Sequence, residues 1–183
     1  KLSAGLDVRG YSQRNYQQIS DMLGGLFWTD YNKYAEGDSP ENPDVLYNDL
    51  DNKDSVLKVG DKYGYDYRFN IFNEKVWAIA KFSFPFIDFH LGADVGSSQY
   101  WREGLMRNGL FPDNSKGNSE IKSFLNFGVK AGLTYKINGR NYLILNGSAI
   151  SAAPTINNVF LSPRTHNKYV DNLNNEKYFS ADF

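Results

Sequence analysis

The chain has 183 residues, a net charge of −1, 41% hydrophobic and 16% aromatic residues, and no cysteine. The length suits one domain with a real core, the near-neutral charge argues against a nucleic-acid partner, and the lack of cysteine excludes a disulfide scaffold and thiol chemistry. No run approaches 18 consecutive apolar residues, so no transmembrane helix is predicted, but a mean hydropathy of −0.54 leaves room for a barrel with half-polar strands.

Leu2, Ala4, Leu6 and Val8 alternate with Ser3, Gly5, Asp7 and Arg9, which predicts a first strand ending near Tyr11. The alternating run is already under way at Lys1, with no initiator Met or signal peptide, and reads as a segment of a longer chain. From 12 to about 60 the period disappears. Within that stretch Tyr16, Ile19 and Leu23 fall at helical spacing before Gly24 and Gly25, predicting a short glycine-capped helix packed on a rim. An acidic run follows, with Asp38, Glu41, Asp44, Asp49, Asp51 and Asp54. A calcium loop starting at Asp49 would need an acidic or amide residue fifth and glycine sixth, where this chain has Lys53 and Asp54. A solvated acidic loop is expected instead.

Tyr63, Tyr65, Tyr67, Phe69 and Ile71 share one face, but after Glu74 the apolar set becomes Val76, Ala78, Ala80, Phe82 and Phe84. One extra residue near Asn73 would change the parity, so a β-bulge in a single long strand is expected, with a hairpin at Asn73 as the alternative. Pro85 breaks the strand. Ile87, Phe89, Leu91, Ala93 and Val95 then alternate with Asp88, His90, Gly92, Asp94 and Gly96 in a third strand ending around Tyr100. A polar loop runs to about Ser123. Leu125, Phe127, Val129, Ala131, Leu133, Tyr135 and Ile137 next form one face of a strand roughly 40 Å long, well beyond the usual five or six residues and enough to cross a bilayer. Asn138-Gly139 predicts a tight hairpin into a fifth strand carrying Leu143, Leu145, Gly147 and Ala149. After an irregular stretch from 152 to 176, a sixth strand begins at Lys177, with Phe179, Ala181 and Phe183 on one side.

Connections alternate long, short, long, short, long, which is how outer-membrane barrels sort external loops from periplasmic turns. Aromatics gather at strand ends: Phe82, Phe84, Phe86, Phe89, Tyr135 and Tyr142 near the short turns, and Tyr11, Tyr65, Tyr67, Tyr100, Trp101 and Phe124 near the long loops. Two interfacial girdles are expected from this. The fold class is therefore all-β, an antiparallel transmembrane β-barrel section of about six strands within a larger barrel.

The stretches MLGGLFWTD (22–30), GDKYGYDY (60–67), WREGLMRNGLFPDN (101–114), AGLTYKINGRNYL (131–143), AAP (152–154) and NNVFLSPR (157–164) resemble, in order, the barrel of TonB-dependent outer-membrane receptors of the large carboxypeptidase-regulatory-like type. That resemblance implies a barrel of about 22 strands around a plug, located in the outer membrane and importing a scarce nutrient such as a glycan or a chelated metal. The partners it implies are outer-membrane lipid, the rest of the barrel and its plug, TonB through a plug segment outside these residues, and a surface lipoprotein.

Little supports catalysis. Asp88, His90 and Asp94 share a polar strand face and could hold a metal, but a hydrogen-bonded cluster facing a barrel interior explains them more simply. No cofactor is called for, and Asn146-Gly147-Ser148 matches a glycosylation pattern only by chance on a strand. Trp101, Arg102, Arg107, Asn108, Asp113 and Asn114 combine an aromatic platform with donors and acceptors suited to polar solutes such as glycans; the alternative is that they fasten loop to loop. Arg164 and His166 form a second, weaker candidate. Two rival readings stand beside the barrel: a soluble, sugar-binding β-sandwich, and a secreted β-rich enzyme using Asp88 and Asp94 about 5 to 9 Å apart.

Overall fold

The computed structural model describes residues 1–32, 34–35 and 41–183; Asp38 of the acidic run lies outside them. Among the described residues the chain is all-β, with long strands β1 (Leu2–Gln18), β4 (Lys62–Ser83), β5 (Ile87–Gly104), β7 (Lys122–Lys136), β8 (Tyr142–Ala152) and β9 (Glu176–Asp182). Short pieces β2 (Trp28–Thr29), β3 (Val56–Leu57) and β6 (Gly117–Asn118) lie in the connections. The long strands form one antiparallel sheet in the order β1-β4-β5-β7-β8-β9, so chain neighbours are sheet neighbours and β1 and β9 are open edges. Connections 84–86 and 137–141 are short and lie at one end, while 19–61, 105–121 and 153–175 are long and lie at the other.

Several expectations change. The first strand does not stop near Tyr11, and no helix forms over Tyr16–Leu23. β1 runs to Gln18 because its backbone groups pair with β4 as far as Lys62. Its upper half shows no period because Ser12, Gln13, Arg14 and Asn15 are polar on both faces.

Neither a bulge nor a hairpin lies at Asn73. Arg9 and Ser98 flank it in an unbroken register on both sides of β4. The apolar set changes parity because two different faces are being covered at different heights. Tyr67 and Phe69 point to the side where Val159 and Phe160 of the last long loop pack on them, together with Tyr100 and Phe124. Lower down, Val76 and Phe82 point to the opposite side and are exposed. The register slip lies higher instead: Tyr16 pairs with Asp66 but Gln17 pairs with Tyr63. Gly64 sits in that bulge at φ +73, a conformation glycine adopts freely, and its N–H donates to both Asp30 oxygens at 3.1 and 2.9 Å.

The two expected turns form. Pro85 sits in the 84–86 turn, where Phe84 N–H donates to the Ile87 carbonyl at 2.9 Å and Lys136 N–H to that of Phe86 at 2.9 Å. At Asn138-Gly139 the asparagine side chain makes the turn: Asn138 Oδ1 accepts from the backbone N–H of Arg140 (2.9 Å) and of Asn141 (3.0 Å).

Candidate functional site

Register assigns every strand residue to one of two faces. One face carries Leu2, Leu6 and Val8 of β1, Val76 and Phe82 of β4, Leu91 and Val95 of β5, Leu125, Phe127, Val129 and Leu133 of β7, Leu143 and Leu145 of β8, and Phe179 of β9, all exposed. This apolar band crosses all six long strands at one height. Above it the same face turns ionic, with Arg14 bonded to Asp66 through Nε (2.8 Å) and Nη2 (2.5 Å), and Arg68 Nη1 3.0 Å from Glu103.

The opposite face is mostly polar in its lower half, with Trp77, Ile79 and Ile144 set among the polar residues. Asp88 accepts from Lys136 Nζ at 2.8 Å, and His90 lies against Gly132, where any added side chain would meet its imidazole and Asn146. Asp88, His90 and Asp94 do share this face, as register pairs them with Thr134, Gly132 and Gly128. Asp88 and Asp94, six residues apart on a continuous strand, are about 20 Å apart along it. That is too far for the paired carboxylates of a glycosidase.

The upper half of this face is sealed by the long loops, which fasten to one another. Loop 105–121 is the middle piece. Toward the first long loop, Leu50 N–H donates to the Arg107 carbonyl (2.7 Å), Gly109 N–H to that of Tyr47 (2.9 Å), and Asp51 bridges Arg107 Nε (2.8 Å) and Lys116 Nζ (2.6 Å). Three other acidic residues of the run are also bonded: Asp44 pairs with Lys53 Nζ (2.6 Å), Asp49 caps a 3₁₀ turn over Leu50–Asn52 and accepts from Arg107 N–H (3.1 Å), and Asp54 accepts from the hydroxyls of Tyr31 and Tyr47. Toward the last long loop, Asn167 N–H donates to the Asn114 carbonyl (2.8 Å), and His166 meets the Phe111 ring edge-on at 4.3 Å.

Arg102 is the centre of this crown. It is 2% exposed, and it donates from Nε to the Pro163 carbonyl (2.6 Å) and from Nη1 to the Ser115 carbonyl (2.8 Å) and Asn167 Oδ1 (2.5 Å). The Tyr67 ring lies 5.1 Å below its guanidinium. A fork of fixed donors can tie two loops to one strand in this way, whereas an ammonium cannot.

The residues put forward as one recognition set therefore separate. Trp101 and Arg102 are strand neighbours and point to opposite faces, Trp101 onto the side of the apolar band and Arg102 into the crown. Arg107 is ion-paired to Asp51. Asn108 is buried, its N–H bonded to Ser115 Oγ (2.9 Å) and its Oδ1 to Leu110 N–H (3.0 Å). Asp113 and Asn114 are exposed at the tip, and Arg164 is exposed over the Tyr65 ring at 5.1 Å. The upper aromatic girdle is also revised: Tyr67, Tyr100 and Phe124 are buried in the loop core with Tyr65 packed against them, and Trp101 faces outward. Alternation decides this, since proximity to a strand end does not say which face a ring takes.

A pocket that the sequence reading passed over lies at the foot of the first long loop. It has a volume of about 440 Å³ and is lined by Gln18, Ser20, Asp21, Phe27, Trp28 and Tyr63, among others. The only hint of it in the sequence is the run of apolar residues in MLGGLFWTD, too irregular to be a strand.

The Asp51 bridge gives a pH prediction. The Lys116 hydrogen bond, aided by Arg107, holds the Asp51 carboxyl below its usual range. Its contribution is then present above the unfolded value near 3.9 and is lost as pH falls through that value toward the lower folded one. The pair is solvent-accessible, so about 1 kcal/mol or less is at stake. Protection factors at 49–54, which correct exchange for its intrinsic pH dependence, should fall below about pH 4, and Asp51→Asn should show that lower protection already at neutral pH.

Comparison with protein-family models, with curated proteins and with solved structures found no match.

Proposed function

We propose that this chain forms wall strands and outer loops of an outer-membrane β-barrel, in a TonB-dependent receptor of the large carboxypeptidase-regulatory-like type that takes up a scarce nutrient such as a glycan or a chelated metal. The observation that carries the reading is the exposed apolar band. From Leu125 to Tyr135 it follows about 33 Å of strand, which at a tilt of about 40° is close to the 25 Å apolar height of such barrels. Phe82, Phe84 and Tyr135, exposed beside the short turns, suit the lower interface, and the ionic strip of Arg14, Asp66, Arg68 and Glu103 suits a headgroup layer above.

Open edges support the same reading. β1 presents a 17-residue edge, a ready template for another strand, and a barrel removes that hazard by closure. The rest of the barrel would pair β1 and β9, a plug would face the polar side, contact with TonB would come through a plug segment outside these residues, and a surface lipoprotein would be a further partner. A soluble sandwich needs a second layer over the apolar band. Among the described residues, the last long loop instead packs on the opposite face.

The test is cysteine accessibility along 125–137 in the intact protein in its membrane. Phe127, Val129 and Ala131 should react with a lipid-soluble thiol reagent, and Asn126, Gly128 and Lys130 with a water-soluble one. Odd positions sealed from both reagents would mean a protein layer covers the band and would end the reading.

A further inference from the structure

We infer that the pocket at the foot of the first long loop is a binding site for a neutral carbohydrate chain. This deepens the proposed function by naming the solute class, and rests on that reading only for the loop's outward position. The pocket is built by three local devices. At the end of β1, Ile19 N–H donates to the Asp61 carbonyl (3.0 Å), the Ile19 carbonyl accepts from Gly60 N–H (2.8 Å), and Gln18 Nε2 donates to the Gly60 carbonyl (2.7 Å), which fixes one wall. A tight turn follows, closed by Gly25 N–H to the Met22 carbonyl (2.8 Å), with Leu23 at φ 50 and Gly24 at φ 88. The pairing of Trp28 with Leu57 then brings the indole to 6.2 Å from the Tyr63 ring, edge-on at 61°.

These devices leave an unusual set of groups facing solvent. Phe27 is 58% and Trp28 52% exposed. Ser20, Gln18 and Asp21 share the lining with the rings, and Ser20 Oγ, Gln18 Oε1 and the second Asp21 oxygen have no hydrogen-bond partner among the described residues; the first Asp21 oxygen is taken by Leu23 N–H at 2.8 Å. Aromatic faces meet the C–H faces of a pyranose ring, and carboxylate and amide oxygens accept its hydroxyl protons. Among the described residues no lysine or arginine lines the pocket, which disfavours phosphate, sulfate and uronate ligands. Its volume lies within the range of small-ligand sites. Leu23, 92% exposed on the adjoining turn, also lines the pocket and raises a protein partner as the competing occupant, but the unpartnered acceptors beside the two rings favour a hydroxyl-rich ligand.

The test is titration of the whole protein in detergent with neutral gluco-, manno-, xylo- and galacto-oligosaccharides, followed by tryptophan emission and calorimetry. One oligosaccharide class should bind. Trp28→Ala should weaken it at least tenfold and Trp28→Tyr should restore most of it, while Trp101→Ala leaves it unchanged. Asp21→Asn, which keeps the acceptor for Leu23 N–H, should weaken binding several-fold. Trp28→Tyr also guards against misfolding, since it preserves the ring contact with Tyr63. If no oligosaccharide binds, or if binding survives Trp28→Ala, the assignment is overturned. Capture of a protein that is lost with Leu23→Ser, without sugar binding, would give the patch to a protein partner and also overturn it. Failure here leaves the labelling pattern along 125–137 untouched, so the two readings fail separately.

Discussion

Arg102→Ala should unfasten the loop crown while leaving the lower sheet paired. Three acceptors, on Pro163, Ser115 and Asn167, lose their donor in a site closed to water, and each buried unsatisfied group costs about 1 kcal/mol or more. A loss of about 3–5 kcal/mol is expected from the set, tempered by water entering the vacated space. Hydrogen exchange should locate it: amides in 105–121 and 153–175 lose protection, while the β7–β8 ladder from Phe127↔Ser151 to Lys136↔Tyr142 keeps it. Arg102→Lys should rescue little, because one ammonium cannot reproduce a fork reaching three oxygens. Unchanged protection in both loops would show that the crown is held elsewhere. The same experiment separates positioning from recognition, since a buried Arg102 reaches a ligand only through the loops it holds.

Val129→Arg should cost about 2–4 kcal/mol in equilibrium folding of the intact protein into phospholipid vesicles, if Val129 lies at mid-bilayer. Lys130→Gln, one residue on and facing the polar side, should fall within about 0.5 kcal/mol of the parent. The contrast is the informative quantity. Val129 is flanked in the sheet by Ala93 and Ala149, so an arginine there has no anionic neighbour on its own face with which to pair. In water alone the exposed site would accept an arginine at little cost. Equal tolerance at the two positions would therefore reject a lipid-facing band even with the sheet intact.

How much could be read beforehand depended on whether a residue's neighbours in sequence were also its deciding neighbours in space. Strands β5, β7 and β8 were legible because one face is apolar along their lower length, and the turns at Pro85 and Asn138 because their chemistry is local. The upper half of β1 was not legible, since its polar residues are held by ladder bonds to β4 and carry no period of their own. The apparent bulge at Asn73 failed for a related reason. Both halves of β4 are apolar on one face, but a loop from more than eighty residues away covers the upper one.

The candidate site follows the same division. Composition and spacing named Arg102, Arg107 and Asn108 as polar groups at a strand-to-loop boundary, and that is where they lie. Their partners, Pro163, Asp51 and Ser115, come mostly from other loops, so only the docked loops could turn a presumed recognition set into a fastening. The sequence by itself determined the all-β class, the long antiparallel strands and the alternation of long and short connections, because period-two patterning and turn chemistry act within a few residues. Tertiary structure alone decided which face each aromatic takes, which cation is buried and where a pocket opens, because those depend on register between strands and on contacts between loops far apart in the chain.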